Sequence, residues 1–218
     1  MSTGLLDGVG LVVFDCDGVL VDTETIGPRV LSAMTTELGW PLSPDDIRRL
    51  FLGTSEPYLL AEMRAHATEP VPEGWLAEYR ARLRAGFDAA PHTMPHVREM
   101  LDALDARGLP YCVASSGAHE RIRHSLTATG LWDRFAGRVF SAEDVAHGKP
   151  EPDLFLYAAE KSAAEPGDCL VVEDSPAGVT AALSAGMPVV GYAGGPTPAE
   201  WLTEATRGVL TDLRTLTR

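Results

Sequence analysis

Leu11-Val12-Val13-Phe14-Asp15-Cys16-Asp17-Gly18 sets four apolar residues against a carboxylate pair and a glycine. A run so short, wholly apolar and bounded by turn residues, reads as a strand buried on both faces, the habit of a parallel sheet. Three later runs end in the same way. Tyr111-Cys112-Val113-Ala114 leads into Ser115-Ser116-Gly117, and Leu170-Val171-Val172 leads into Glu173-Asp174-Ser175. Val139-Phe140 precedes a short acidic segment and then Gly148-Lys149-Pro150. In an open α/β sheet, ligands sit outside the carboxyl ends of the strands. Parallel strands would therefore carry carboxylates, hydroxyls and one lysine to a single edge.

Working outward, two regimes appear. From Asp22 to about Ala90 the patterns are helical only. Ser43-Pro44-Asp45-Asp46 reads as an N-cap, a proline in the first turn and acids near the positive end of a helix. Gly39-Trp40-Pro41 stops the helix before it, 68–73 is a turn, and 75–87 is a further helix. From Pro91 onward helices and strands alternate. Pro95 is expected to open a helix running to Arg107. Strands are expected at 110–114, 137–140, 169–172 and 188–191, with a weaker one near 208–210. Helices are expected at 118–129, from Pro152 to about Ala163, and from Ser175-Pro176 to Gly186. Such alternation implies βαβ units with right-handed crossovers. The expected fold is α/β, a Rossmann-like doubly wound parallel sheet with an inserted all-α domain. Its boundaries read as 1–18 plus 91–218 for the core and 19–90 for the insert.

The strand ends carry the chemistry. Asp15 and Asp17 are two residues apart, and in extended backbone such positions face one side. Two carboxylates so close are pushed to different protonation states. An ionised one can attack phosphorus while a protonated one donates to the leaving oxygen. Gly18 permits a sharp turn and close approach. Asp-Cys-Asp-Gly also suits an ordinary polar turn. Asp174 with Glu173 offers oxygen ligands, and magnesium favours few carboxylates, some waters and substrate phosphate. Asp15, Asp174 and the carbonyl of Asp17 would meet that need, with Glu173 beside them. The alternative is that Glu173-Asp174 only caps a helix, although Ser175-Pro176 already does so. Ser115 and Ser116 before a helix form a candidate anion site, or else a common loop. Lys149, restrained by Gly148 and Pro150, can neutralise phosphate oxygens, or is a surface lysine.

Composition bounds the rest. The net charge of -13 argues against a nucleic-acid or anionic-membrane partner. No apolar run nears the ~20 residues a bilayer needs, and Met1 to Asp7 lacks the basic start and long apolar stretch expected of a signal peptide. Cys16, Cys112 and Cys169 lack zinc or disulfide spacing and are expected as buried, reduced thiols of a cytoplasmic protein. The six histidines read as surface or packing residues, and Arg80, Arg82 and Arg84 as a solvated helix face.

Taken together, Phe14 to Asp22, Ser115-Ser116, Gly148 to Phe155 and Val172 to Gly178 resemble the haloacid dehalogenase superfamily, mostly magnesium-dependent phosphatases. The helical insert resembles the subclass with a helical cap, which includes β-phosphoglucomutase-like sugar phosphatases. The resemblance implies Asp15 as the nucleophile forming an aspartyl-phosphate and Asp17 as general acid, then base. It implies Ser115 and Lys149 as phosphoryl ligands, and Asp15, the Asp17 carbonyl and Asp174 as Mg2+ ligands with Glu173 in or beside the ligand shell. The acid at Asp17 disfavours carbon–halogen chemistry. A mutase would carry a histidine at Gly27 and an arginine at Glu56, in the hinge-like segment Phe51-Leu52-Gly53-Thr54-Ser55-Glu56. Both departures favour a monophosphate phosphatase over a phosphomutase; a non-catalytic phosphometabolite-binding protein is the third reading. The substrate class expected is a small phosphorylated metabolite, a sugar or sugar-like phosphate. The cap would read it through residues near Thr23-Glu24 and from Phe51 to Tyr58. A monomer is expected, with a dimer left open.

Overall fold

The structure is a computed structural model that describes residues 4–23, 25–51, 56–89 and 91–218, leaving aside the side chains of residues 56 and 57. The chain divides into two compact units, Met1–Asp22 with Pro91–Arg218, and Thr23–Ala90.

The first unit is a parallel six-stranded sheet among the described residues, ordered β3-β2-β1-β4-β5-β6. The strands are β1 (Leu11–Phe14), β2 (Tyr111–Ser115), β3 (Val139–Ser141), β4 (Cys169–Glu173), β5 (Val189–Tyr192) and β6 (Val209–Leu210). Every residue of β1, β2, β4 and β5 is buried. That is why these strands are continuously apolar and not alternating. Leu11, Val13, Cys112, Ala114, Cys169 and Val171 join one core cluster. Alternation sends Val12 and Phe14 to the other face, where Phe14 meets Tyr111 edge-on at 6.3 Å and Tyr111 meets Phe135 at 5.3 Å. Strand order reverses between β1 and β4, which makes their carboxyl ends the switch point of a doubly wound sheet.

The second unit holds α1 (Ile26–Glu37), α2 (Pro44–Phe51), α3 (Glu56–His66) and α4 (Trp75–Ala89). Leu31, Met34, Ile47, Leu59, Met63 and Trp75 form its own core. Ser43 caps α2 as its sequence suggests: its Oγ accepts from Asp46 N at 3.2 Å, and Asp46 Oδ2 accepts from Ser43 N at 3.0 Å. Gly39 takes φ +73 after α1, which ends that helix. Phe51 packs against the helical core while Tyr58 is exposed. Glu24 and residues 52–55 of the hinge-like segment lie outside the described residues, as does the Glu56 side chain.

The remaining helices flank the sheet: α5 (Val97–Ala106), α6 (His119–Ala128), α7 (Trp132–Phe135), α8 (Asp153–Lys161) and α9 (Pro176–Ser184). Two expectations shift. The contact boundary after β1 falls at Asp22 rather than Gly18, because Val19, Leu20 and Val21 are fully buried and Val21 bridges Asp17 and Thr93. The helix expected from Pro95 begins at Val97, since His96 takes a left-handed φ of 64. Among the described residues no helix is long and apolar enough to cross a membrane.

Candidate active site

The sheet register decides which side chains meet. Phe14 lies opposite Val172 on one side and Val113 on the other. The next rung therefore sets Asp15 beside Glu173 and Ala114. Asp15 N donates to Val172 O at 3.0 Å, continuing the ladder past the strand's end. Into this rung comes Lys149, from the loop between β3 and α8. Its Nζ donates to Asp15 Oδ1 at 2.6 Å, to Glu173 Oε1 at 2.6 Å and to Ala114 O at 3.0 Å. An ammonium has three donors, and these three acceptors engage all of them. The group also stands 4.9 Å from the centre of the Phe155 ring, a cation–π contact. Its side chain is 4% exposed, so Lys149 is not a surface lysine.

Glu173 is gripped on both oxygens. Oε1 accepts from Lys149, and Oε2 accepts from Ser175 N and Ser175 Oγ, each at 2.9 Å. Ser175 Oγ in turn accepts from Gly178 N at 3.1 Å, capping α9. A Cβ on Gly178 would fall 1.9 Å from Glu173 Oε1, so the glycine makes room for the carboxylate. The Asp174 carboxylate fits a similar cradle: a Cβ on Gly18 would meet its Oδ2 at 2.0 Å. Gly18 also sits at φ +79, where side chains are strained. The loops after β1 and β4 thus interlock through an absent side chain.

Charge follows burial. Desolvation raises the Asp15 carboxyl to about 7; Lys149 opposes that rise, while Glu173 and Asp17 add to it. Burial works against the Lys149 ammonium, but Asp15 and Glu173 outweigh it and hold the group protonated. Carboxylates still outnumber cations here, and this surplus is what a divalent ion would relieve.

Asp17 is partly exposed, and its Oδ2 accepts from Arg121 Nη2 at 2.6 Å. Sequence reasoning misses Arg121. Its signal is faint, one arginine of the charged helix start His119-Glu120-Arg121, 104 residues from its partner. The two serines part company. Ser115 ends β2, is buried, and its Oγ accepts from Gly117 N at 3.1 Å. Ser116 is exposed. Gly117 O accepts from Ser141 Oγ at 2.6 Å, which pins this loop to β3.

The oxygens of Asp15 and Asp174 are hard donors of the kind magnesium takes. Among the described residues no group of three or more metal-ligating side chains converges. Cys16, Cys112 and Cys169 are free and buried.

A family model described as haloacid dehalogenase-like hydrolase matches residues 9–186. The chain is 31% identical over 187 residues to 6-phosphogluconate phosphatase of Escherichia coli (strain K12), covering 85% of this chain and 83% of that one. It is 30% identical over 193 residues to hexitol phosphatase A of the same organism, covering 82% and 80%. A solved haloacid dehalogenase family hydrolase from Deinococcus radiodurans R1, with bound phosphate and sodium, superposes with a TM-score of 0.85 at 30% identity, over 96% of this chain and 93% of that one. With its parallel sheet, its interlocked strand-end loops and these relatives, the chain belongs to the haloacid dehalogenase-like hydrolase family, as a phosphatase.

Proposed function

We propose that the protein hydrolyses a small phosphorylated metabolite, a sugar or sugar-like monophosphate, through a phosphoryl group carried on Asp15. The observation that carries this reading is the 2.6 Å contact between Lys149 and Asp15, made across 134 residues of sequence. A carboxylate and a captive ammonium at a strand end form a site for a dianion and its in-line attacker.

Asp15 attacks phosphorus and takes the phosphoryl group as a mixed anhydride. Asp17 gives its proton to the leaving oxygen, then draws one from the water that cleaves the anhydride. Lys149 redirects donors from its present acceptors to phosphoryl oxygens as their charge develops. The Ser115 hydroxyl and the Ser116 backbone N–H add donors at the start of α6. Asp15, Asp174 and the Asp17 carbonyl would hold Mg2+, which would supply charge neutralisation at the phosphoryl oxygens. Because both oxygens of Glu173 are engaged, we assign it to orienting Lys149 and not to the metal. The helical unit is read as the cap domain that selects the substrate. Relatives named as a 6-phosphogluconate phosphatase and a hexitol phosphatase support the substrate class, and a solved relative that carries bound phosphate and sodium supports phosphate binding.

The test is phosphate release across a panel of phosphorylated metabolites, with and without chelator, using Asp15→Asn as blank. Metal-dependent release from sugar-class phosphates by the native chain alone is expected. Equal release by Asp15→Asn would end the reading.

A further inference from the structure

We propose that Arg121 is a positioning residue that fixes which oxygen of Asp17 meets the leaving group, an inference that rests on the phosphatase reading above. Two observations carry it. Arg121 Nη2 donates to Asp17 Oδ2 at 2.6 Å. The guanidinium also lies against Gly117, where a Cβ would fall 2.6 Å from Nη2 and 3.0 Å from Nε. The absent side chain at 117 therefore sets where the fork rests. The loop bearing Gly117 is itself anchored by Ser141.

The chemical consequence is directional. A carboxyl oxygen that accepts from a guanidinium is not the one that carries the transferable proton. Arg121 thereby holds the carboxyl in one rotamer, with Oδ2 turned to the guanidinium. A proton donor must sit within hydrogen-bond reach of the leaving oxygen, and a misplacement of about 1 Å can cost about 100-fold in rate. In the chemical step the Asp17 O–H bond breaks and a bond forms from that proton to the departing oxygen. The P–O bond's electron pair stays on that oxygen, while the Asp15–phosphorus bond forms.

The role differs from plain phosphate binding in its dependence on the leaving group. Phenyl phosphate leaves as a basic phenolate that needs the proton, whereas 4-nitrophenyl phosphate leaves unaided. The parameter to compare is kcat/KM, which covers steps up to the first irreversible one and omits the later use of Asp17 as base. Arg121→Met should lower kcat/KM for phenyl phosphate by about tenfold or more and for 4-nitrophenyl phosphate by less than about threefold. Arg121→Lys should recover part of the phenyl phosphate loss. Equal losses on both esters would overturn the proposal, since they would mark Arg121 as a phosphoryl ligand. The side chain is about half exposed, so the variants keep the fold. Turnover of both esters by the native chain, absent in Asp15→Asn, tests the phosphatase reading separately. Failure of the native chain on both would overturn both claims.

Discussion

Replacing Gly18 by alanine probes the interlock between the two acidic loops. The new Cβ would stand 2.0 Å from Asp174 Oδ2 and 2.8 Å from its Cγ. Ordinary contact needs about 3.5 Å, so the carboxylate must retreat by more than about 1 Å. The backbone adds a second cost, because φ is +79 and a left-handed residue with a Cβ costs roughly 1–2 kcal/mol. Gly108 separates the two: it has φ +63, and a Cβ added there would meet nothing within 4 Å. Gly108→Ala should lose similar stability with full activity. Gly18→Ala should lose that stability and, in addition, about 100-fold in turnover, with a higher magnesium requirement. The assays are urea denaturation and phosphate release across a magnesium titration. Equal activity in the two variants, at an unchanged magnesium midpoint, would refute the placement of Asp174 as a metal-site residue.

Lys149→Met leaves Asp15 and Glu173 buried side by side without a counter-ion. Removing one partner of such a group costs about 3–5 kcal/mol, read as a lower urea midpoint along with lost turnover; a loss below about 1 kcal/mol would mean the pair is solvated. Burial pushes the Cys112 thiol from the ordinary 9.0 up to about 12. The folded state therefore keeps a proton that the unfolded chain gives up, so this contribution is complete below pH 9 and declines as pH rises toward 12. The slope is about 1.4 kcal/mol per pH unit, and Cys112→Ala should flatten stability against pH in that window; an unchanged slope would contradict it. The native chain should also resist thiol reagents at neutral pH and react at all three cysteines once denatured.

The strand ends are legible because a buried strand and its site share one short run: β1 stops at Phe14 and Asp15 follows at once. The same holds for Ser115 and Glu173, each the last residue of its strand. Sequence alone does not separate Ser115 from Ser116, since which one faces inward depends on where β2 ends. It groups Glu173 with Asp174 because two adjacent acids look alike in sequence, whereas the fold sets Glu173 against Lys149 and Ser175. Arg121 escapes notice because its partner is fixed by the loop after β1 meeting the first turn of α6, not by spacing along the chain. Residues 19–22 read as the start of the insert because the acidic motif ends at Gly18, yet Val19, Leu20 and Val21 are fully buried and stay with the first unit. The short helix α7 is too brief to show a period.

The central claim is that Asp15 carries the phosphoryl group and Asp17 governs its release. Asp17→Asn, mixed with 4-nitrophenyl phosphate and magnesium, quenched in acid and digested, tests it most directly. A phosphorylated peptide containing Asp15, formed in a single burst and slow to decay, is the predicted result. Free phosphate appearing with no covalently labelled Asp15, or a label on another residue, would contradict the account.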